Sequence, residues 1–191
     1  MNYSTLYCPK CGNELISLGG DLNKCQNPSC DYLIQGFNTI DISFKSKGIA
    51  KALSNLCPYS FKFDNVYCYS MEAFIQSLKV KNTQLQRELC AKTGPFCYSI
   101  RTMFDDWRVK QQIYWKGRTY DRHSEDYILL LKRAYVALYE QSEIFSYAIN
   151  KVKKENYTLI HSVGCTDSNE TLLTPDEYMD ILYYLIENIE W

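Results

Sequence analysis

The chain has 191 residues, of which 46% are hydrophobic and 15% aromatic, and its formal net charge is −1. That content suffices for a packed core and excludes a disordered chain, and the length suits one ordinary domain plus a small appendage. No run of about 18 apolar residues could cross a bilayer, and nothing like a leader precedes the first cysteine motif, so a soluble, cytoplasmic protein without a membrane partner is expected.

The N-terminus reads C-P-K-C-G, then C-Q-N-P-S-C, which groups Cys8, Cys11, Cys25 and Cys30. A C-x2-C pair on a tight turn aims two sulfurs at one point, and with the C-x4-C pair that follows it would complete a closed tetrahedral zinc site. Gly12, Asn27 and Pro28 supply the turn chemistry. Residues 1–36 are therefore expected to form a zinc ribbon stabilised mainly by structural zinc, because so small a hairpin has little core of its own. Only Lys10 and Lys24 oppose Glu14, Asp21 and Asp31, so no basic stripe marks a nucleic-acid reader, and a structural or docking module for a protein or nucleic-acid partner is expected. The other five cysteines are odd in number and without paired spacing, which fits reduced thiols.

Residues 37–191 are read as the second domain. Gln35 to Ser46 alternates imperfectly between apolar and polar residues, as a strand does, and Tyr59 to Tyr69 reads as a hairpin turning at Asp64 and Asn65. Ser70 caps a helix over Met71 to Val80, and further helices are expected over Thr83–Lys92, Tyr98–Gln112, Ser124–Glu140 and Ser142–Lys154. Tyr157 to Val163 resembles a short buried strand. Thr174, Pro175 and Glu177 form a capping box, after which Tyr178, Ile181, Leu182, Leu185 and Ile189 continue one apolar face. Helices around a few strands make an α+β fold. Charge is uneven along this order: all 21 Lys and Arg residues lie at or before Lys154, whereas the last 37 residues hold eight acids.

Three polar groupings could carry chemistry. Glu72, Gln76 and Lys79 recur at i, i+4 and i+7 on one helical stripe, although an acid in the first turn and a base near the end also suit a helix dipole. W-K-G-R-T-Y-D-R-H-S-E-D-Y places Trp115, Arg122, Ser124 and Tyr127 around a helix start, a composition shared by nucleotide pockets and ordinary polar loops. His161, Gly164 and Asp167 follow the last strand, where loops often meet ligands. Phosphate-loop, dinucleotide, serine-hydrolase and zinc-protease signatures are absent.

These segments, together with L-S-N at Leu53 to Asn55, A-Y-V-A-L at Ala134 to Leu138, and H-S-V-G followed by L-L-T, resemble the NADAR family across about residues 45 to 190. The resemblance implies an N-glycosidase acting on ribose C1–nitrogen bonds, with ADP-ribosylated guanine in DNA as the expected substrate and ADP-ribose as the ligand. A riboflavin-precursor metabolite, or mere binding of ADP-ribose or NAD, are the alternatives. By position, Glu72 would be the acid and Lys79 the nucleophile that forms a Schiff base. Ser54 and Asn55 would open the pocket, and Trp107 or Trp115 would be its aromatic wall. A late W-G motif of many members is replaced here by H-S-V-G-C-T-D.

Overall fold

In the computed structural model of the chain, the residues described are 7–19, 22–35 and 38–188. The N-terminal part is an antiparallel three-stranded sheet of β1 (Leu15–Gly19), β2 (Leu22–Cys25) and β3 (Leu33–Gln35), in that order. Its interior is small, made of Cys8, Cys25, Cys30, Tyr32 and Ile34. The Ser43 hydroxyl donates to the Pro9 carbonyl at 2.7 Å, Lys45 Nζ to the Lys10 carbonyl at 3.0 Å, and the Tyr32 hydroxyl to Asp41, so side chains tie this sheet to the segment from Asp41 to Lys45. The expected domain limit between 36 and 37 falls outside the described residues.

The rest is helical with small separate sheets, an α+β fold as the sequence predicts. The strand expected over Gln35–Ser46 is shorter: β4 (Thr39–Asp41) pairs in parallel with β9 (Thr158–Ile160), and the backbone then turns at Ser43–Ser46. After α1 (Gly48–Ala52), β5 (Phe61–Phe63) and β6 (Val66–Cys68) form the expected hairpin. Asp64 and Asn65 turn it with φ of 45° and 65°, the left-handed pair that a two-residue hairpin loop requires and that Asp and Asn tolerate.

Helix α2 (Met71–Ser77) starts where the Ser70 hydroxyl accepts the Ala73 N–H at 3.1 Å. It buries Met71, Ala73, Phe74 and Ile75. Phe74 meets Phe63 and Trp115 edge-on, with ring centroids 5.4 Å and 5.0 Å away. Burying such a side chain stabilises the fold by about 1.5–3 kcal/mol, so α2 is anchored on its apolar face and its polar face is free to serve a site. Helix α3 (Thr83–Cys90) packs against it.

The single helix expected over Tyr98–Gln112 is instead two short ones. Helix α4 (Gly94–Ser99) begins at Thr93, whose hydroxyl accepts the Phe96 N–H, with a proline at its start, and ends at Ile100. A Cβ on Gly94 would lie 2.6 Å from the Leu56 carbonyl oxygen, so only glycine lets α4 approach that turn. Helix α5 (Asp106–Lys110) stops at Gln111, which is left-handed with φ of 50°. A hairpin not foreseen comes next, β7 (Gln112–Trp115) and β8 (Arg118–Asp121), turned by Lys116 and Gly117 at φ of 48° and 82°.

Helices α6 (Glu125–Gln141), α7 (Glu143–Glu155) and α8 (Pro175–Asn188) pack on one another. Their shared core includes Leu131, Tyr135, Leu138, Phe145, Ile149, Ile181 and Leu185. Ile189, expected on the α8 face, lies outside the described residues. Among the described residues no helix is long and apolar enough to cross a membrane.

Candidate active-site cavity and cysteine cluster

A cavity of about 440 Å³ opens between α2, the α4–α5 segment, the loop after β9 and the start of α8. Its lining includes Asn55, Glu72, Gln76, Lys79, Arg101, Trp107, Arg108, His161 and Gly164. That volume suits one small-molecule-sized ligand.

Glu72 sits in the first turn of α2, its N–H bonded to the Asn55 carbonyl at 2.9 Å and its Oε1 accepting Gln76 Nε2 at 2.9 Å. Part of its surface faces the cavity, yet the surrounding protein is dense. Burial lifts the carboxyl above its ordinary 4.5, although the Gln76 hydrogen bond and the charges of Lys79 and Arg101 pull the other way.

Lys79 is not on the helix proper. Helix α2 ends at Ser77 with Leu78 as its cap, and the Lys79 N–H closes the next turn on the Gln76 carbonyl at 3.4 Å. The expected stripe therefore holds from Glu72 to Gln76, and a turn rather than the helix brings Lys79 to the same cavity. Its side chain is 5% exposed. The amine donates to the Arg101 carbonyl, stands 4.0 Å from Asp105 Oδ1, and lies 5.8 Å from the centre of the Trp107 ring. Burial lowers its pKa from 10.5 to about 8, with Asp105 opposing the shift and Arg108 adding to it.

Asn55 is held by the Tyr135 hydroxyl, which donates to its Oδ1 at 2.7 Å. His161 Nδ1 lies 2.7 Å from the Ile42 carbonyl, and burial lowers its pKa. Gly164 has a φ of 128° that side chains rarely adopt, so the loop can turn close to Pro175.

The remaining expected ligand residues lie elsewhere. Trp115 is in the core, stacked on Phe63 with its indole N–H donating to Asp64 at 2.9 Å, so Trp107 is the tryptophan on the cavity. Arg122 is fully buried and forks onto Glu177 at 2.8 Å and 2.7 Å, leaving no fork for a phosphate. Ser124 caps α6, accepting the Tyr127 N–H at 3.2 Å. Tyr127 is buried and donates to the Leu172 carbonyl at 2.5 Å. Ser54 accepts from the Leu56 N–H within its own turn, and Asp167 is exposed, accepting from Asn169. Neither lines the cavity. Arg122 and Tyr127 turned inward because the segment entering α8 carries backbone carbonyls, those of Thr171 and Leu172, that must be satisfied somewhere.

Reading 98–112 as one helix concealed the break that sets the Arg101 carbonyl and Asp105 beside Lys79. The D-D pair at Asp105–Asp106, an acidic helix start ahead of W-R-V-K, was the available signal.

At the N-terminus the sulfurs of Cys8, Cys11, Cys25 and Cys30 all lie within 4.8 Å of one another, with 3.6 Å from Cys8 to Cys30 and 3.3 Å from Cys11 to Cys25. None is in a disulfide. The Asn27 N–H points at Cys25 Sγ and the Asn13 amide at Cys11 Sγ, both at 3.4 Å, as donors to thiolates would. The four cysteines could hold a metal ion.

The sequence that builds this cavity is related to those of phage proteins. The profile of the bacteriophage protein GP30.3 family matches residues 47–187, and the chain belongs to that family. It is also similar to an uncharacterized 17.1 kDa protein of the Gp30-rIII intergenic region of Enterobacteria phage T4, 28% identical over 140 residues that cover 72% of this chain and 90% of the relative. No solved structure matches the chain. The cysteine cluster lies ahead of the matched segment.

Proposed function

We propose that the protein is an N-glycosidase that cleaves a ribose C1–nitrogen bond, with ADP-ribosylated guanine in DNA as its substrate and Glu72 and Lys79 as its catalytic pair. The observation that carries this reading is one cavity bordered by a carboxyl group that burial keeps protonated longer and an amine that burial makes easier to deprotonate. Environments that push an acid and a base towards each other in this way suit proton transfer and nucleophilic attack. Gln76 Oε1 and Trp107 Nε1, on residues that line the cavity, are buried without a hydrogen-bond partner, and a polar ligand would complete them. The grouping of the GP30.3 family among NADAR-like proteins supports the same reading.

In this mechanism the neutral Lys79 amine attacks C1 while the bond to the base nitrogen breaks. The departing nitrogen keeps the electron pair and takes the Glu72 proton. The new amine passes a proton by way of the Glu72 carboxylate to the ring oxygen, which leaves C1 as a hydroxyl as the ribose ring opens, and a protonated imine remains on Lys79. Water then adds to C1, the amine leaves, and free ADP-ribose is released with Glu72 reprotonated.

The reactive form holds one proton between the two groups, on Glu72. It is a minor partner of the ionised pair, so both forms rise and fall together with pH. The release of ADP-ribose from modified DNA should therefore follow a bell in kcat/KM, with its acid limb above 4.5, where Glu72 titrates, and its alkaline limb near 8, where Lys79 does. A flat profile between pH 5 and pH 9, or no release of ADP-ribose from modified DNA, would contradict the pairing.

One feature favours a smaller substrate as a second reading. On the N-terminal sheet Lys10 is already paired with Asp31 at 2.8 Å, which leaves little positive charge to track a DNA backbone. A ribosyl-nitrogen metabolite offered alongside modified DNA would decide between them by relative kcat/KM.

The cysteine cluster is proposed to hold structural zinc. Four thiolates at about 2.3 Å from zinc define a tetrahedron with sulfurs about 3.8 Å apart, close to the 3.6 Å and 3.3 Å seen here and within the 4.8 Å that encloses all four. With all four positions filled by protein, the ion would stabilise and not catalyse. Metal analysis should find one zinc per chain, and a strong chelator should expose the four thiols to a thiol reagent while the helical circular dichroism signal persists.

A further inference from the structure

We propose that Asp105 is a positioning residue for Lys79, a carboxylate pinned by Arg108 that holds the amine against the cavity wall for attack. The inference rests on the glycosidase reading but concerns a residue which that chemistry does not itself require.

Asp105 occupies the N-cap position of α5, where an Asp side chain ordinarily accepts a backbone N–H of the first turn. Here it makes no such bond. Its Oδ2 accepts Arg108 Nη1 at 3.0 Å, which fixes the plane of the carboxylate. The other oxygen, Oδ1, is buried, has no hydrogen-bond partner, and stands 4.0 Å from Lys79 Nζ. A helix cap has thus been given up and a buried carboxylate oxygen left open beside the amine, an arrangement that folding alone would not favour.

The remaining groups around Lys79 do not duplicate this role. From α2, Glu72 faces the same cavity, and from the end of the α4 segment Arg101 offers its carbonyl while its guanidinium stacks on Tyr98 at 4.1 Å. From α5, Arg108 repels the amine and is itself held by Asp105 and by Glu170 at 3.3 Å. His161 stands on the loop after β9. Asp105 is thus the carboxylate that steadies the ammonium and restrains the nearest competing cation.

The charge of Asp105 raises the Lys79 pKa against burial. Asp105→Asn should therefore let the amine lose its proton at lower pH, and should also leave it less well aimed. Two readouts separate these effects. Competitive labelling with acetic anhydride, followed at the Lys79 peptide by mass spectrometry across pH, reports the amine without any turnover. The expected result is a labelling midpoint at lower pH in Asp105→Asn than in wild type, a matching downward move of the alkaline limb of kcat/KM, a fall of about tenfold to a hundredfold in kcat, and partial recovery of both in Asp105→Glu. An unchanged labelling midpoint overturns the assignment whatever happens to kcat, because a merely structural loss would not move it. If wild type itself releases no ADP-ribose, the glycosidase reading fails, while the labelling midpoints still decide whether Asp105 governs Lys79.

Discussion

Replacing Lys79 with alanine is expected to reduce the release of ADP-ribose from modified DNA by about a thousandfold or more, with little change in the thermal unfolding midpoint. The kinetic loss follows from the role of the amine: without it the C1–nitrogen bond must be broken in one step by water, and the two-step route through a covalent intermediate is lost. The stability should hardly suffer because the lysine stands in the turn after α2, outside that helix, and because an ammonium that is only 5% exposed and has a depressed pKa is a cost to the fold that alanine removes. Lys79→Arg should be equally inactive, since a guanidinium stays charged and cannot attack. Activity within tenfold of wild type for either variant would remove the lysine from the chemistry.

Arg122→Ala should act in the opposite way, destabilising the protein by about 3–5 kcal/mol in urea unfolding, the usual result of breaking a buried pair from one side. The side chain of Arg122 is 1% exposed and that of Glu177 24%, so the orphaned carboxylate would have little water to turn to. Three structural roles vanish together: the fork onto Glu177, the Nε bond to the Thr171 carbonyl at 2.8 Å, and the support of the capping box in which the Thr174 and Glu177 N–H groups are bonded at 2.8 Å and 3.2 Å. Burial alone would lift the Glu177 carboxyl, but the Arg122 fork and the Thr174 N–H outweigh it and hold it below its ordinary 4.5. A depressed carboxylate contributes stability above the unfolded value and loses it as pH falls through the folded one. The difference between wild type and variant should therefore be full at neutral pH and shrink below about pH 4.5. At temperatures where Arg122→Ala remains folded, its KM should stay near the wild-type value, as the guanidinium does not reach the cavity.

Lys79 and Arg122 differ in how far the sequence alone reveals their roles. Glu72 and Lys79 were legible because helical spacing and resemblance pointed to one stripe, and the structure brings both to one cavity even though a turn, not the helix, delivers the lysine. The cysteine grouping was legible because ligand spacing is a local property. Arg122, Ser124 and Tyr127 were attractive for their composition, but an arginine that forks onto a carboxylate across 55 positions of sequence cannot be told from one that awaits phosphate until the partner is known. Trp107 and Trp115 differ for a similar reason. Trp115 closes a strand next to the Lys116–Gly117 turn, and that strand was hidden by extending a helix through Gln111. The left-handed Gln111 has no sequence signature as clear as Asp64–Asn65, whose residue types favour that backbone region.

Reductive trapping tests the covalent chemistry most directly. The protein is mixed with ADP-ribosylated DNA in the presence of sodium borohydride, digested, and mapped by mass spectrometry. An ADP-ribosyl adduct on the peptide that carries Lys79, absent from Lys79→Ala, is the predicted result. Continued release of ADP-ribose with no adduct on that peptide, or an adduct on a different lysine, would contradict it.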